Sequence, residues 1–379
     1  MKALAALLLL ATSLHANTFR EAHVAFESQR YRPNSVAIAD FNGDGLADVA
    51  ANGWCYPGDP CPLMLFYQTK NGTLAEPVFI GADAAGSDIQ AGDFNNDGRM
   101  DIVLAGAEVQ VLLQTADGTL DAPASYETPS GIYDLGVGDV TGDGRTDIVG
   151  MPWGGDEMYV LEQQPGGTGL VPRTYPMTGY GYDDFDLIDL NGDGRRDAID
   201  ASAQGAIGVM HVSYATSTGF DAPVELRLPW HDLAEDVEGG DFNGDGRMDL
   251  AVIAHGTFSD MPPYAGLMLR TASGSFEAGP LLQADYWPET LLVADFDRDG
   301  DSDIAVGGGA GLQVWIQTRP GVFEEQRYVL PRHSNFSTHD HLAAGDVNHD
   351  GATDLVVALD NGALAVLYGI LPRRHSVAR

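Results

Sequence analysis

Short apolar runs of strand length recur from residue 17 onward, and none shows the spacing of an amphipathic helix. Ile102-Val103-Leu104-Ala105 is one such run, and Val109-Gln110-Val111-Leu112-Leu113-Gln114 alternates apolar and polar positions. A turn signal at Asp117-Gly118 leads into a last extended segment ending near Tyr126. With Ile89-Gln90-Ala91-Gly92 ahead of them, these segments predict a unit of four strands joined by polar or glycine-rich connections. The segments 68–74, 164–170, 216–220, 271–276 and 318–323 supply the matching turn into a fourth strand elsewhere.

Between the first and second predicted strands of every unit lies one nine-residue acidic loop. The loops begin at Asp40, Asp93, Asp139, Asp189, Asp241, Asp295 and Asp346, spaced 53, 46, 50, 52, 54 and 51 residues apart. A constant period near 50 residues, repeated seven times, predicts an all-β, seven-bladed β-propeller with four-stranded blades over residues 17–370. The seventh unit ends at Leu364-Ala365-Val366-Leu367-Tyr368 without a fourth strand. The segment Asn17-Thr18-Phe19-Arg20-Glu21 is similar to Gly321-Val322-Phe323-Glu324-Glu325. The N-terminal strand is therefore expected to complete the last blade and close the ring, which removes exposed sheet edges. Residues 371–379 are expected to form a flexible tail.

The loop pattern also predicts a ligand. Oxygen side chains stand at positions 1, 3, 5 and 9. They are Asp40, Asn42, Asp44 and Asp48 in the first loop, Asp93, Asn95, Asp97 and Asp101 in the second, and Asp139, Thr141, Asp143 and Asp147 in the third. The fourth has Asp189, Asn191, Asp193 and Asp197, and the fifth has Asp241, Asn243, Asp245 and Asp249. The sixth has Asp295, Asp297, Asp299 and Asp303, and the seventh Asp346, Asn348, Asp350 and Asp354. Backbone carbonyls at position 7 (Leu46, Arg99, Arg145, Arg195, Arg247, Asp301 and Ala352) complete the expected donor set. Glycine at position 6 permits the sharp turn. Alternating hard oxygen donors around a glycine turn suit Ca²⁺, so up to seven structural ions are expected. An EF-hand would need Glu at position 12, where Ala51, Leu104, Gly150, Asp200, Val252, Val306 and Val357 stand. Thr141 should weaken the third site and Asp297 should tighten the sixth.

On these loops the chain resembles the FG-GAP/VCBS repeat family, whose relatives include the seven-bladed propeller of integrin α subunits. The resemblance implies that the Ca²⁺ loops join the first and second strands of each blade on one face. The literal Phe-Gly and Gly-Ala-Pro signatures of the family are poorly kept.

The formal charge of −35 argues against nucleic acid or anionic lipid as a partner. The seven loops hold 22 of the carboxylates at positions 1, 3, 5 and 9, so bound Ca²⁺ would relieve much of this charge. Residues 1–16 read as a secretory signal peptide: Met1-Lys2, an apolar run from Ala3 to Ala11, and a cut expected after Ala16. No later stretch is long enough to span a bilayer. The expectation is an exported protein, periplasmic or secreted, and monomeric. In that setting Cys55 and Cys61 read as a local disulfide.

The face opposite the metal loops would carry the links between blades and between second and third strands. Those segments contain Trp54, Trp153, Tyr182, Trp230, His231, Trp287, His339 and His341. Aromatic and polar side chains mixed on connecting loops suit a protein or glycan ligand. The plainer reading is that the rings plug gaps between blades and the histidines are solvated loop residues. No nucleophile elbow, phosphate-binding glycine loop or His-Glu-x-x-His is present. The function expected is therefore recognition rather than catalysis. A polysaccharide-acting, lyase-like enzyme and a structural envelope scaffold are the alternatives.

Overall fold

The computed structural model describes residues 17–371 except 56–60, 82–85, 129, 153–156, 168, 178–184, 202–207, 231, 255–261, 286–287, 310, 332–341 and 360–361, and the side chains of residues 54 and 55. Seven four-stranded antiparallel sheets form the blades of a propeller. Blade 1 is Tyr31–Ala39, Asp48–Cys55, Leu63–Phe66 and Val78–Ile80; blade 2 is Ile89–Gly92, Asp101–Leu104, Glu108–Leu112 and Ala124–Glu127. Blade 3 is Ile132–Gly138, Asp147–Pro152, Glu157–Gln163 and Leu170–Pro176. Blade 4 is Phe185–Ile188, Asp197–Asp200, Val209–Ser213 and Val224–Arg227, with a small hairpin, Ala215–Thr216 and Gly219–Phe220, between its last two strands. Blade 5 is Asp236–Gly240, Asp249–Ala254, Tyr264–Arg270 and Phe276–Gln283; blade 6 is Pro288–Ala294, Asp303–Gly308, Gly311–Arg319 and Val322–Tyr328. Blade 7 is Leu342–Gly345, Asp354–Leu359 and Ala363–Leu367, and its fourth strand is His23–Glu27 from the N-terminus. One turn of 3-10 helix, Pro165–Gly167, is the sole helix among the described residues, and none there is long and apolar enough to cross a membrane.

The expected closure is present, with a shift. The ladder to blade 7 runs from His23↔Val366 to Glu27↔Ala363, a few residues beyond the segment expected to make it. Residues 17–21 extend that pairing, with the Arg20 N–H on the Tyr368 carbonyl and the Ile370 N–H on that of Thr18, and they also plug the end of the seam. Phe19 is buried, bridges Gly369, and meets Phe296 and Tyr328 edge to face at 5.5 and 5.7 Å.

Second and third strands are apolar at nearly every position because both faces of a blade are covered. Ala50 packs toward blade 2 while Val49 and Ala51 pack toward blade 7. Period-two alternation thus divides each blade between two seams. Seven hydrophobic clusters result, one per seam. The first strands touch their neighbours in a closed circle around a central channel of about 370 Å³.

Candidate metal centres and the opposite face

Each acidic loop leaves the end of a first strand, and each second strand starts at its position-9 aspartate. Position 2 anchors the loop: Phe41, Phe94, Val140, Leu190, Phe242, Phe296 and Val347 are all buried. Position 6 is left-handed in every loop, from Gly246 at φ 78° to Gly300 at φ 98°. Position 4 is left-handed as well, including the non-glycine residues Asn96, Arg298 and His349. The sequence reading missed that requirement. Its signal was the glycine at this position in the other four loops, Gly43, Gly142, Gly192 and Gly244.

The same hydrogen bonds recur in all seven loops. The position-1 carboxylate accepts the backbone N–H groups of positions 5 and 6, at 3.1 and 2.8 Å for Asp40. The position-5 carboxylate accepts the N–H of position 7, at 3.0 Å for Asp44 and Leu46. Oδ1 of position 9 accepts an N–H from beyond the third strand in blade 1, where Gln68 reaches Asp48 at 2.8 Å, and each other blade has an equivalent bond. The nonamer therefore folds its carboxylates inward on its own backbone and ties itself to the rest of the blade.

Several donor atoms have nothing to bind within the protein. Asn95 Oδ1, Thr141 Oγ1 and Asp354 Oδ2 are buried without a hydrogen-bond partner, and they occupy positions 3, 3 and 9 of their loops. Orphaned oxygens at ligand positions are atoms that a bound cation would satisfy. In the sixth loop, carboxylate oxygens of Asp295, Asp297 and Asp303 lie within 4.8 Å of one another. Burial, reinforced by neighbouring carboxylates, pushes Asp297 to about 6 and Asp303 to about 7. These residues fit a hard divalent cation. In the second to fifth loops the guanidinium of the position-7 arginine pairs with the position-5 aspartate (Arg99–Asp97, Arg145–Asp143, Arg195–Asp193 and Arg247–Asp245). The first, sixth and seventh loops, with Leu46, Asp301 and Ala352 at position 7, have no such side chain.

On the other face, Trp153, Tyr182, His231, Trp287, His339 and His341 lie outside the described residues, as do the side chains of Trp54 and Cys55. Cys61 is buried, its sulfur 2.9 Å from the Gly53 carbonyl oxygen. Trp230 is half-buried. It packs into the seam between blades 4 and 5, edge to face with Tyr264 at 5.7 Å and over Gly266, where a Cβ would fall 2.5 Å from the indole ring. The central channel holds a group that the sequence did not flag. Asp186 and Glu238, from the first strands of blades 4 and 5, are hydrogen-bonded to each other near Arg196. Burial pushes Asp186 to about 6 and raises Glu238 well above the usual carboxylate range.

Comparison with known proteins agrees with this architecture. The family model described as an FG-GAP-like repeat matches residues 54–104, 241–306 and 295–357. No curated protein matches the chain. Among solved structures, an Agrocybe aegerita lectin described as recognising non-reducing terminal N-acetylglucosamine is similar at 20% identity and TM-score 0.56, with 80% of this chain and 81% of that one covered. BBS1N, solved in complex with ARL6DN, is similar at 12% identity and TM-score 0.61, over 93% of this chain and 98% of that one. A Lactobacillus plantarum protein is similar at 14% identity and TM-score 0.54, over 78% and 85%. At these identities the likeness is one of fold.

Proposed function

The chain is a seven-bladed propeller built of FG-GAP-like repeats, and from that premise we propose that it is an exported, calcium-stabilised recognition module. What supports the calcium reading most is one observation. The same inward-turned carboxylate cradle recurs seven times, with orphaned oxygens at Asn95, Thr141 and Asp354 where a cation would take them up. Bound Ca²⁺ would supply positive charge among clustered carboxylates and crosslink the first and second strands of its blade. Positions 1, 3, 5 and 9 would hold it. The chain's own part is to supply the turn and the pre-oriented donors.

Recognition is assigned to the face opposite the metal loops, where Trp54, Trp153, Tyr182, Trp287, His339 and His341 lie in or beside connecting segments. A glycan is the first ligand class to test, because a neighbour of the same fold is described as a lectin. The test is a glycan array and a pull-down in millimolar Ca²⁺, each repeated after chelation. Retention of a glycan that is lost on Trp287→Ala supports the reading. A calorimetric titration without calcium uptake at millimolar concentration overturns its metal half, and silence on both array and pull-down overturns its recognition half. A Cys55–Cys61 disulfide belongs to the same proposal. It predicts no alkylation of the exported protein until a reductant is added.

A further inference from the structure

The seam between blades 3 and 4 contains a second arrangement of metal-ligating atoms, unrelated to the acidic loops. In blade 4 the antiparallel register sets Asp200 of the second strand opposite His211 of the third. Met210 and Val212, on either side of His211, pack toward blade 5. Alternation therefore turns His211 and Ser213 toward blade 3. From blade 3 come Met151, Met158 and Met177, all buried. These six residues line one cavity of about 10 Å³.

Nδ1 of His211 is buried and makes no hydrogen bond. A buried polar atom without a partner costs roughly 1–3 kcal/mol and calls for a ligand or a water. A water bridging His211, Asp200 and Ser213 is the competing occupant, and it would leave the three thioethers, which accept hydrogen bonds weakly, unused. A hard ion is a poor match, because Ca²⁺ and Mg²⁺ take about six or more oxygen ligands and only Asp200 and Ser213 supply side-chain oxygens here. Thioether sulfur and imidazole nitrogen together select a soft cation. We propose that Met151, Met158, Met177 and His211 form a binding site for a soft monovalent metal ion, copper(I), at the seam of blades 3 and 4. Burial lowers the tendency of His211 to protonate, which leaves its nitrogen lone pair available at neutral pH. The plain alternative is that the methionines fill an irregular gap, as flexible side chains do.

The experiment uses the full chain in calcium-replete buffer, with Cys55→Ser and Cys61→Ser in every sample so that no thiol competes. Ag⁺ serves as a redox-stable probe by calorimetry, and Cu(I) is titrated anaerobically against a chromogenic chelator. Methionine methyl resonances are followed by NMR. One saturable equivalent is expected, with the Met151, Met158 and Met177 methyl resonances shifting together. Replacing those three by Leu keeps the volume and should weaken binding more than about tenfold, as should His211→Asn. Replacing Met210, Met248 and Met268 by Leu, in the adjoining seam, should leave binding unchanged. Absence of a saturable equivalent overturns the proposal. So does a triple Leu variant that binds like its parent, or an equal loss in the Met210/Met248/Met268 variant. Should the triple variant not fold, Met158→Leu with the methyl spectrum decides alone, and unmoved methyl resonances overturn the site. Calcium uptake by the acidic loops is read separately, so either reading can fail without the other.

Discussion

Removing calcium should invert the pH dependence of stability. The position-9 aspartates of all seven loops are inaccessible to solvent. In the metal-free protein, burial pushes Asp48, Asp303 and Asp354 to about 7, and Asp101, Asp147, Asp197 and Asp249 to about 6. Backbone N–H bonds pull these values down, and carboxylates of the same loop push them up again. An unfolded aspartate titrates near ~3.9, so the metal-free fold holds more protons than the unfolded chain between about pH 4 and 7. Its stability is fully present below about pH 4 and is lost as pH rises through 6 to 7. A rise of about two units corresponds to about 3 kcal/mol per site. Calcium at tenfold its Kd returns about 1.4 kcal/mol per site, or near 10 kcal/mol for seven. For a chain of this length that is a melting shift of about 13 °C. Calorimetry at about pH 5 and about pH 7.5, each with Ca²⁺ and with EDTA, checks this. With EDTA the melting temperature should fall from the lower pH to the higher, and with Ca²⁺ it should not. A chelated protein whose melting temperature is flat or rising over that interval refutes the reasoning, as does a curve at the higher pH that EDTA leaves unmoved.

Three further outcomes are expected. Gly118→Ala should cost about 1–3 kcal/mol in urea unfolding, because the glycine has φ 79° and its Cβ would stand 2.2 Å from the Asn42 carbonyl oxygen. Trp230→Ala should cost about 2–3 kcal/mol, toward the low end for a large aromatic because the ring is half-exposed; an unchanged melt would free the ring for a ligand-binding role instead. Deleting residues 17–27 removes the fourth strand of blade 7 and leaves Ala363–Leu367 as an open edge, so the variant should elute earlier than the intact chain in size-exclusion chromatography, as larger oligomers or aggregate.

The period of the acidic loop made blade number, strand count and ring closure legible, because each follows from repetition rather than from any one contact. What was hidden depends on residues whose neighbours lie one blade away. Asp88 reads as a polar residue ahead of a strand, yet its carboxylate accepts the N–H of Leu135 in the next blade at 3.1 Å and the Ser35 hydroxyl of the previous one at 2.7 Å. Asp134 and Asp236 accept from Phe185 and Leu291, again one blade on, at 3.0 and 2.6 Å. Phe19 looked like a strand residue because its surroundings match a strand elsewhere in the sequence. It does bridge Gly369 as that likeness implies, and the filled seam shows it to be a plug as well. For Trp230 the sequence leaves both a ligand-facing ring and a plug between blades open, and the absence of a side chain at Gly266 is what admits it to the seam.

These contacts between blades give the acidic loops a second role. The position-1 carbonyl of one loop is held by a group from the following blade: Gln114 Nε2 on Asp40 at 2.9 Å, Gln163 Nε2 on Asp93 at 2.8 Å, Gln68 Nε2 on Asp346 at 3.2 Å, and Thr353 Oγ1 on Asp295 at 3.1 Å. The turns at Gly72, Gly118 and Gly167 press on the position-3 carbonyls of Asn348, Asn42 and Asn95, so closely that no side chain fits. A loop that loosens when its carboxylates repel must therefore loosen its neighbour's third and fourth strands. Position 9 is bonded in turn to an N–H near the end of the third strand of its own blade, so the disturbance passes from one blade to the next. The acidic loops are thus stitches between blades as well as clips within them.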